Sequence, residues 1–239
     1  MHELTRRQLV RSGLALGAFF VFAGCESSSR RTRVRTGSAY TPNSADWEFK
    51  SRKPKWLDGA DLSGAAATPG VVARASWTSA RPNLPDTNPM NGISRITVHH
   101  DGMNAFTSTS QAAAAQRLES IRRSHVSANG WADIGYHYVI DPAGRVWEAR
   151  PVNLQGAHVK DNNEHNLGVM VMGNYDQQSP TGASTKALDD FVSAMMRKYR
   201  VPVSRVYTHQ EIRPTACPGR SLQYVMESTR SRGGSLARA

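Results

Sequence analysis

Between residues 93 and 230 the spacing of apolar positions changes from segment to segment, and each change predicts an element. Ile93, Ile96 and Val98 lead a strand into His99. From Gln111 to His125 an alanine run, with Leu118, Ile121 and His125 at helical spacing, predicts a helix. Tyr136–Ile140 reads as a strand, and Asp141-Pro-Ala-Gly144 supplies the Pro and Gly of a tight turn into a second strand over Arg145–Ala149. Leu167–Met172 is an almost continuous apolar run, the pattern of a strand covered on both faces. The clearest helix is expected from Ser184 to Arg200. There Leu188, Phe191, Val192, Met195, Met196 and Tyr199 make one stripe, and Arg197, Lys198 and Arg200 lie where a helix favours positive charge. A last helix is expected between Ser221 and Arg230. Strands interleaved with helices predict an α/β (α+β layered) fold: one domain, with a central mixed sheet flanked by helices.

The segments outside these elements change the picture of where the domain sits. Residues 1–25 begin with adjacent Arg6 and Arg7, continue with a short apolar run from Leu14 to Ala23, and end at Gly24-Cys25. A basic start, a short apolar core and small residues describe an export signal, and the arginine pair resembles a twin-arginine signal. The apolar run is about half of the ~20 residues a spanning helix needs. Phe22-Ala-Gly-Cys25 resembles a bacterial lipobox, so Cys25 is expected to be lipidated and to anchor the protein in the cell envelope; the alternative is a small residue beside an ordinary cleavage site. Residues 26–70, rich in Ser, Arg, Pro, Gly and Ala without period, read as a flexible linker, although Trp47, Trp56 and Leu57 could dock. The domain is expected over 71–228, with a basic tail at 229–239.

The formal charge of +11 is concentrated at the ends: residues 1–35 carry a net +5 and the last twelve residues +3. Nothing between them forms a phosphate-tracking stripe, which argues against nucleic acid as a partner; the N-terminal arginines suit an acidic envelope surface. No protein partner is predicted.

The candidate chemistry lies in Tyr207-Thr-His-Gln-Glu-Ile-Arg-Pro-Thr-Ala-Cys-Pro-Gly219, where His209 and Cys217 stand eight positions apart on what reads as an irregular loop. With His99 at a strand end, two imidazoles and a thiolate could hold zinc and leave a fourth position open, as catalytic sites do. Spacing alone does not establish that the three converge. The only other cysteine is Cys25, so with Cys25 lipidated and Cys217 on a metal no disulfide is expected.

The residues around these positions carry a resemblance. Arg74-Ala-Ser-Trp77, Val98-His-His100, Gly130-Trp-Ala-Asp-Ile-Gly-Tyr-His137, Gly144-Arg-Val-Trp-Glu148, Gly156-Ala-His158, Leu167-Gly-Val169 with Gly173-Asn174, and His209 through Gly219 follow one another over about residues 73–225. In that order they resemble the N-acetylmuramoyl-L-alanine amidase family, which includes peptidoglycan recognition proteins and phage zinc amidases. The resemblance implies one Zn²⁺ on His99, His209 and Cys217, in a cleft at the sheet edge. It also implies a catalytic Tyr136 and an assisting Thr215, where many relatives carry lysine. His100 is then packing or support for its neighbour. The implied reaction is attack by a zinc-acidified water on the amide joining N-acetylmuramic acid to L-alanine of the stem peptide, in peptidoglycan or muropeptides. The alternative is a recognition module that binds peptidoglycan without cutting it. An amidase restricted to small anhydro-muropeptides is a third reading, which the export signal opposes.

Five further positions carry paired expectations. His158 lines the substrate cleft or is a satisfied structural histidine, and Arg150 meets the substrate or is solvated. Glu211 is a general base or, as its more ordinary role, anchors the loop. Trp131 and Trp147 stack on sugar rings or, by default, are buried; His125 and His137 are expected to pack.

Overall fold

A computed structural model describes residues 70–239, so the expected export signal, Cys25 and nearly all of the 26–70 linker lie outside the described residues. Its strands are β1 Val71–Val72, β2 Arg95–His100, β3 Tyr138–Ile140, β4 Val146–Glu148, β5 Asn166–Val171 and β6 Val206–Thr208. They form one mixed sheet in the order β1–β4–β3–β5–β2–β6. Every pairing is parallel except β3 with β4. The helices are α1 Gln111–Ser127, α2 Gly182–Tyr199, α3 His209–Ile212 and α4 Arg220–Arg230. The expected layered α/β fold is the one observed.

Each long helix starts where a hydroxyl satisfies an orphan backbone donor. Ser110 accepts from the N–H of Ala113 before α1, and Thr181 from the N–H of Ser184 before α2. Helix α2 buries Leu188, Phe191, Val192, Met195 and Met196 against the sheet, each worth about 1.5–3 kcal/mol relative to exposure. With Leu222 and Met226 of α4 they cover the face that carries Ile96, Val98, Leu167, Val169 and Val171. Ala114, Leu118 and Ile121 of α1 cover the other face, against Val139, Trp147, Met170 and Met172. The hairpin turn between β3 and β4 is built on Asp141, whose carboxylate accepts from the N–H groups of Ala143 and Arg145 and from the buried Trp147 indole. Trp147 is therefore a core residue and not a sugar platform.

Strand periodicity of two then decides the fate of the adjacent histidines. His100 points to the α2/α4 side, where its Nδ1 accepts from the N–H of Tyr175. His99 points to the α1 side, toward Tyr136. Because β2 is next to the edge strand β6, His99 and the residues that follow β6 meet at one edge of the sheet.

Two expectations change. The segment between His209 and Cys217 is not irregular throughout: it follows a strand and opens with the short helix α3, neither of which has the length for a periodic signal. Strand β3 begins at Tyr138, two residues later than the alternation predicts, leaving Tyr136 outside the ladder. Within the expected basic tail at 229–239, Leu236 is 1% exposed in the core and Arg230 pairs with Glu211.

Candidate metal centre

The approach of His209 to Cys217 is fixed by backbone bonds that fold their segment onto itself. The N–H of Gln210 donates to the carbonyl of Cys217 at 2.9 Å, which closes the loop. The N–H of Cys217 donates to Thr215 Oγ1 at 3.2 Å, and that of Gly219 to the carbonyl of Ala216 at 2.7 Å. Gly219 has φ 84°, and a Cβ there would sit 2.7 Å from the backbone of Tyr175, so only glycine lets α4 start at this point. Glu211 secures the other end. Its carboxylate accepts from the Thr208 N–H, from Gln223, and from both Arg230 terminal nitrogens at 2.6 and 2.7 Å. Burial acts to raise its pKa, but these donors outweigh it and hold the carboxyl down at about 2. Glu211 anchors the loop, the more ordinary of its two expected roles.

The result is that one donor atom each from His99, His209 and Cys217 lies within 4.8 Å of the others. His99 and Cys217 are buried and His209 is half-buried. Cys217 Sγ stands 3.6 Å from His99 Nδ1. Tetrahedral zinc bonds of about 2.0–2.1 Å to nitrogen and about 2.3 Å to sulfur would separate such a pair by roughly 3.5 Å. Burial, followed by the charge of the neighbouring His158, pushes His99 well below the ordinary imidazole range. Burial and then Arg213 take His209 to about 4. Neutral imidazoles and a thiolate are the forms that ligate, so the donor set fits a zinc ion.

Tyr136 packs against this trio, its ring centroid 5.1 Å from that of His99. Thr215 is tied to Cys217 through its accepting hydroxyl. His158, expected either to line the cleft or to be a satisfied structural histidine, is 6% exposed and bonds His99 directly, Nδ1 to Nε2 at 3.0 Å. Arg150 is a correction. It is 4% exposed, and its three guanidinium nitrogens donate to the carbonyls of Ile134, Asp133 and Gln155. That commits its guanidinium to the main chain, including the stretch just before Tyr136. His125 receives the N–H of Gly135 on Nδ1 and lies against Trp131 and Tyr136. His137 bonds Leu154 and Gly168. Both therefore pack, as expected. Asn163 and Asn166, which hold His158, carry no signal beyond a run of loop-forming residues at 162–166.

Comparisons with known proteins agree with this geometry. The sequence profile of the family described as N-acetylmuramoyl-L-alanine amidase matches residues 88–220. Peptidoglycan-recognition protein SC2 of Drosophila melanogaster is 32% identical over 153 residues, covering 64% of this chain and 82% of that protein. The N-acetylmuramoyl-L-alanine amidase of Sus scrofa is 31% identical over 157 residues, covering 64% of this chain but 26% of that much longer protein. Among solved structures, bumblebee PGRP-SA superposes with a TM-score of 0.60 at 25% identity, covering 67% of this chain and 95% of that one.

Proposed function

Because the chain belongs to the N-acetylmuramoyl-L-alanine amidase family, which holds both cutting enzymes and non-cutting recognition proteins, we propose that it is one of the enzymes. It hydrolyses the amide between N-acetylmuramic acid and L-alanine of the peptidoglycan stem peptide, with one zinc ion on His99, His209 and Cys217. The observation that carries this reading is the convergence of those three donors, a thiolate among them, beside Tyr136.

When bound, zinc supplies Lewis acidity, polarising an amide carbonyl and acidifying water. The protein groups do the rest. His99, His209 and Cys217 would hold the ion through two neutral imidazoles and one anionic sulfur, a set that would leave the centre with less positive charge than three imidazoles. Further donors are then useful where the carbonyl oxygen gains charge, and the Tyr136 hydroxyl fills that role. Thr215 accepts a hydrogen bond from the Cys217 N–H, so its own proton is available to donate toward the substrate. Arg150 and Glu211 keep the two halves of the site in register by holding, respectively, the chain before Tyr136 and helix α3.

Zinc stoichiometry of the purified protein, together with release of stem peptides from sacculi, tests this reading. One zinc per chain with peptide release is expected; metal-free protein that binds sacculi tightly and releases nothing would establish the recognition module instead. Sacculi carrying diaminopimelate or lysine at the third stem position would define the preferred wall. We propose further that residues 1–25 direct export and that lipid on Cys25 anchors the enzyme in the envelope. A Cys25→Ala protein should then partition into the soluble fraction.

A further inference from the structure

We propose that His158 is a positioning residue: it locks His99 in the tautomer that carries its proton on Nε2 and turns the Nδ1 lone pair toward Cys217. The inference rests on the metal-centre reading above and assigns a job that spacing could not show.

The hydrogen bonds leave one consistent arrangement. His158 Nε2 lies 3.1 Å from the backbone carbonyl of Asn166, and a carbonyl only accepts, so Nε2 carries the hydrogen. A neutral imidazole has one donor and one acceptor nitrogen, so His158 Nδ1 is then the acceptor. That atom is 3.0 Å from His99 Nε2, which must therefore donate. His99 then keeps an unprotonated Nδ1, the atom 3.6 Å from Cys217 Sγ. Among the described residues no other imidazole is hydrogen-bonded to His158. His137, the nearest on the far side, has both nitrogens engaged, Nε2 with the Leu154 carbonyl and Nδ1 with the Gly168 N–H.

The chain also makes a fitted slot for this ring. A Cβ on Gly156 would come within 2.5 Å of His158 Cδ2, and one on Gly168 within 2.6 Å. Neither glycine has a left-handed backbone, so their shared requirement is space for the imidazole. The main chain of His158 is held in turn by Asn163 Oδ1, which accepts from the N–H groups of His158 and Val159 at 2.8 Å each. Asn166 begins β5, the strand paired with β2, so both ends of the relay belong to neighbouring strands in fixed register.

Nitrogen-15 NMR of the imidazoles in metal-free protein reads the tautomer directly. Zinc affinity, by competition with a chelating dye, reads its consequence. The expected spectrum has His99 protonated on Nε2 and bare on Nδ1. His158→Leu should weaken zinc binding about 10–100-fold, the usual effect of losing a partner of a metal ligand. His158→Asn, whose amide oxygen falls near the position of Nδ1, should recover most of that loss. Gly168→Ala, which crowds the ring from β5, should weaken zinc binding in the same direction. A proton on His99 Nδ1 in the unchanged protein would overturn the relay whether or not any variant folds. Equal zinc affinity in folded His158→Leu would overturn it too, with the proposed function left standing. Failure of the unchanged protein to bind zinc would remove both.

Discussion

The two faces of the central sheet are filled by different chemistry. Under α2 and α4 the side chains are aliphatic, aromatic and methionine apart from His100 at the strand end, with Ile96, Val98, Leu188, Val192 and Met195 almost or wholly without exposure. Under α1 the face begins in the same way, with Leu118, Ile134, Met170 and Met172. It then turns into a cluster of imidazoles toward one edge: His99 and His158 with His137 beside them, and His209 half-buried above. One sheet thus packs a core on one side and carries the candidate metal ligands on the other. The difference shows that polar groups can be buried in numbers when each ring nitrogen has a defined partner. A variant that separates stability from chemistry tests this division.

The largest effect should come from Cys217→Ser. It removes the thiolate, so zinc and hydrolysis should both be lost, while the packed face keeps the chain folded by circular dichroism. On the opposite face, Phe191→Ala should cost about 3–5 kcal/mol in chemical denaturation through the cavity it leaves. The protein that remains folded should still take up one zinc, and loss of uptake would mean that the faces are not independent. Tyr136→Phe should retain zinc and lower turnover about 10²–10³-fold, the usual loss when one donor to a developing oxyanion is removed. Unchanged turnover would end the role given to that hydroxyl.

Acid should act on the α1 side first. Burial, and then the charge of Arg150, lower the pKa of His125 to about 4. Burial also brings His137 to about 4, outweighing its bond to Leu154. Both lie below the unfolded value of about 6.5, so the unfolded chain binds more protons across that interval. Their contribution to stability is complete above about 6.5 and declines as pH falls through about 4. Melting temperature should follow that curve, and a flat profile over this range would show the rings to be protonated in the folded state. The smallest effect expected is that of Glu211→Gln. Its pair with Arg230 is partly exposed, so the change should cost only about 1 kcal/mol by denaturation. Looser zinc binding should accompany that loss, because α3 carries His209.

By itself the sequence determined the layers and the donors. The stripe along α2, the apolar run of β5 and the turn at Asp141–Gly144 are local periodic signals, and local periodicity reflects which face of an element must leave water. His99, His209 and Cys217 were legible because a thiol and imidazoles set among Gly and Pro form an unusual pattern. Tertiary structure alone decided the partnerships. It brought β6 beside β2, closed the loop from Gln210 to Cys217, moved Arg150 from a possible substrate contact to a clamp, and put His158 against His99. The approaches of His158 and Cys217 to His99 span 59 and 118 residues, and even the shorter-range bonds of Arg150 and Gln210 depend on how their loops fold back. A spacing along the chain carries no information about such approaches until the sheet has set its register.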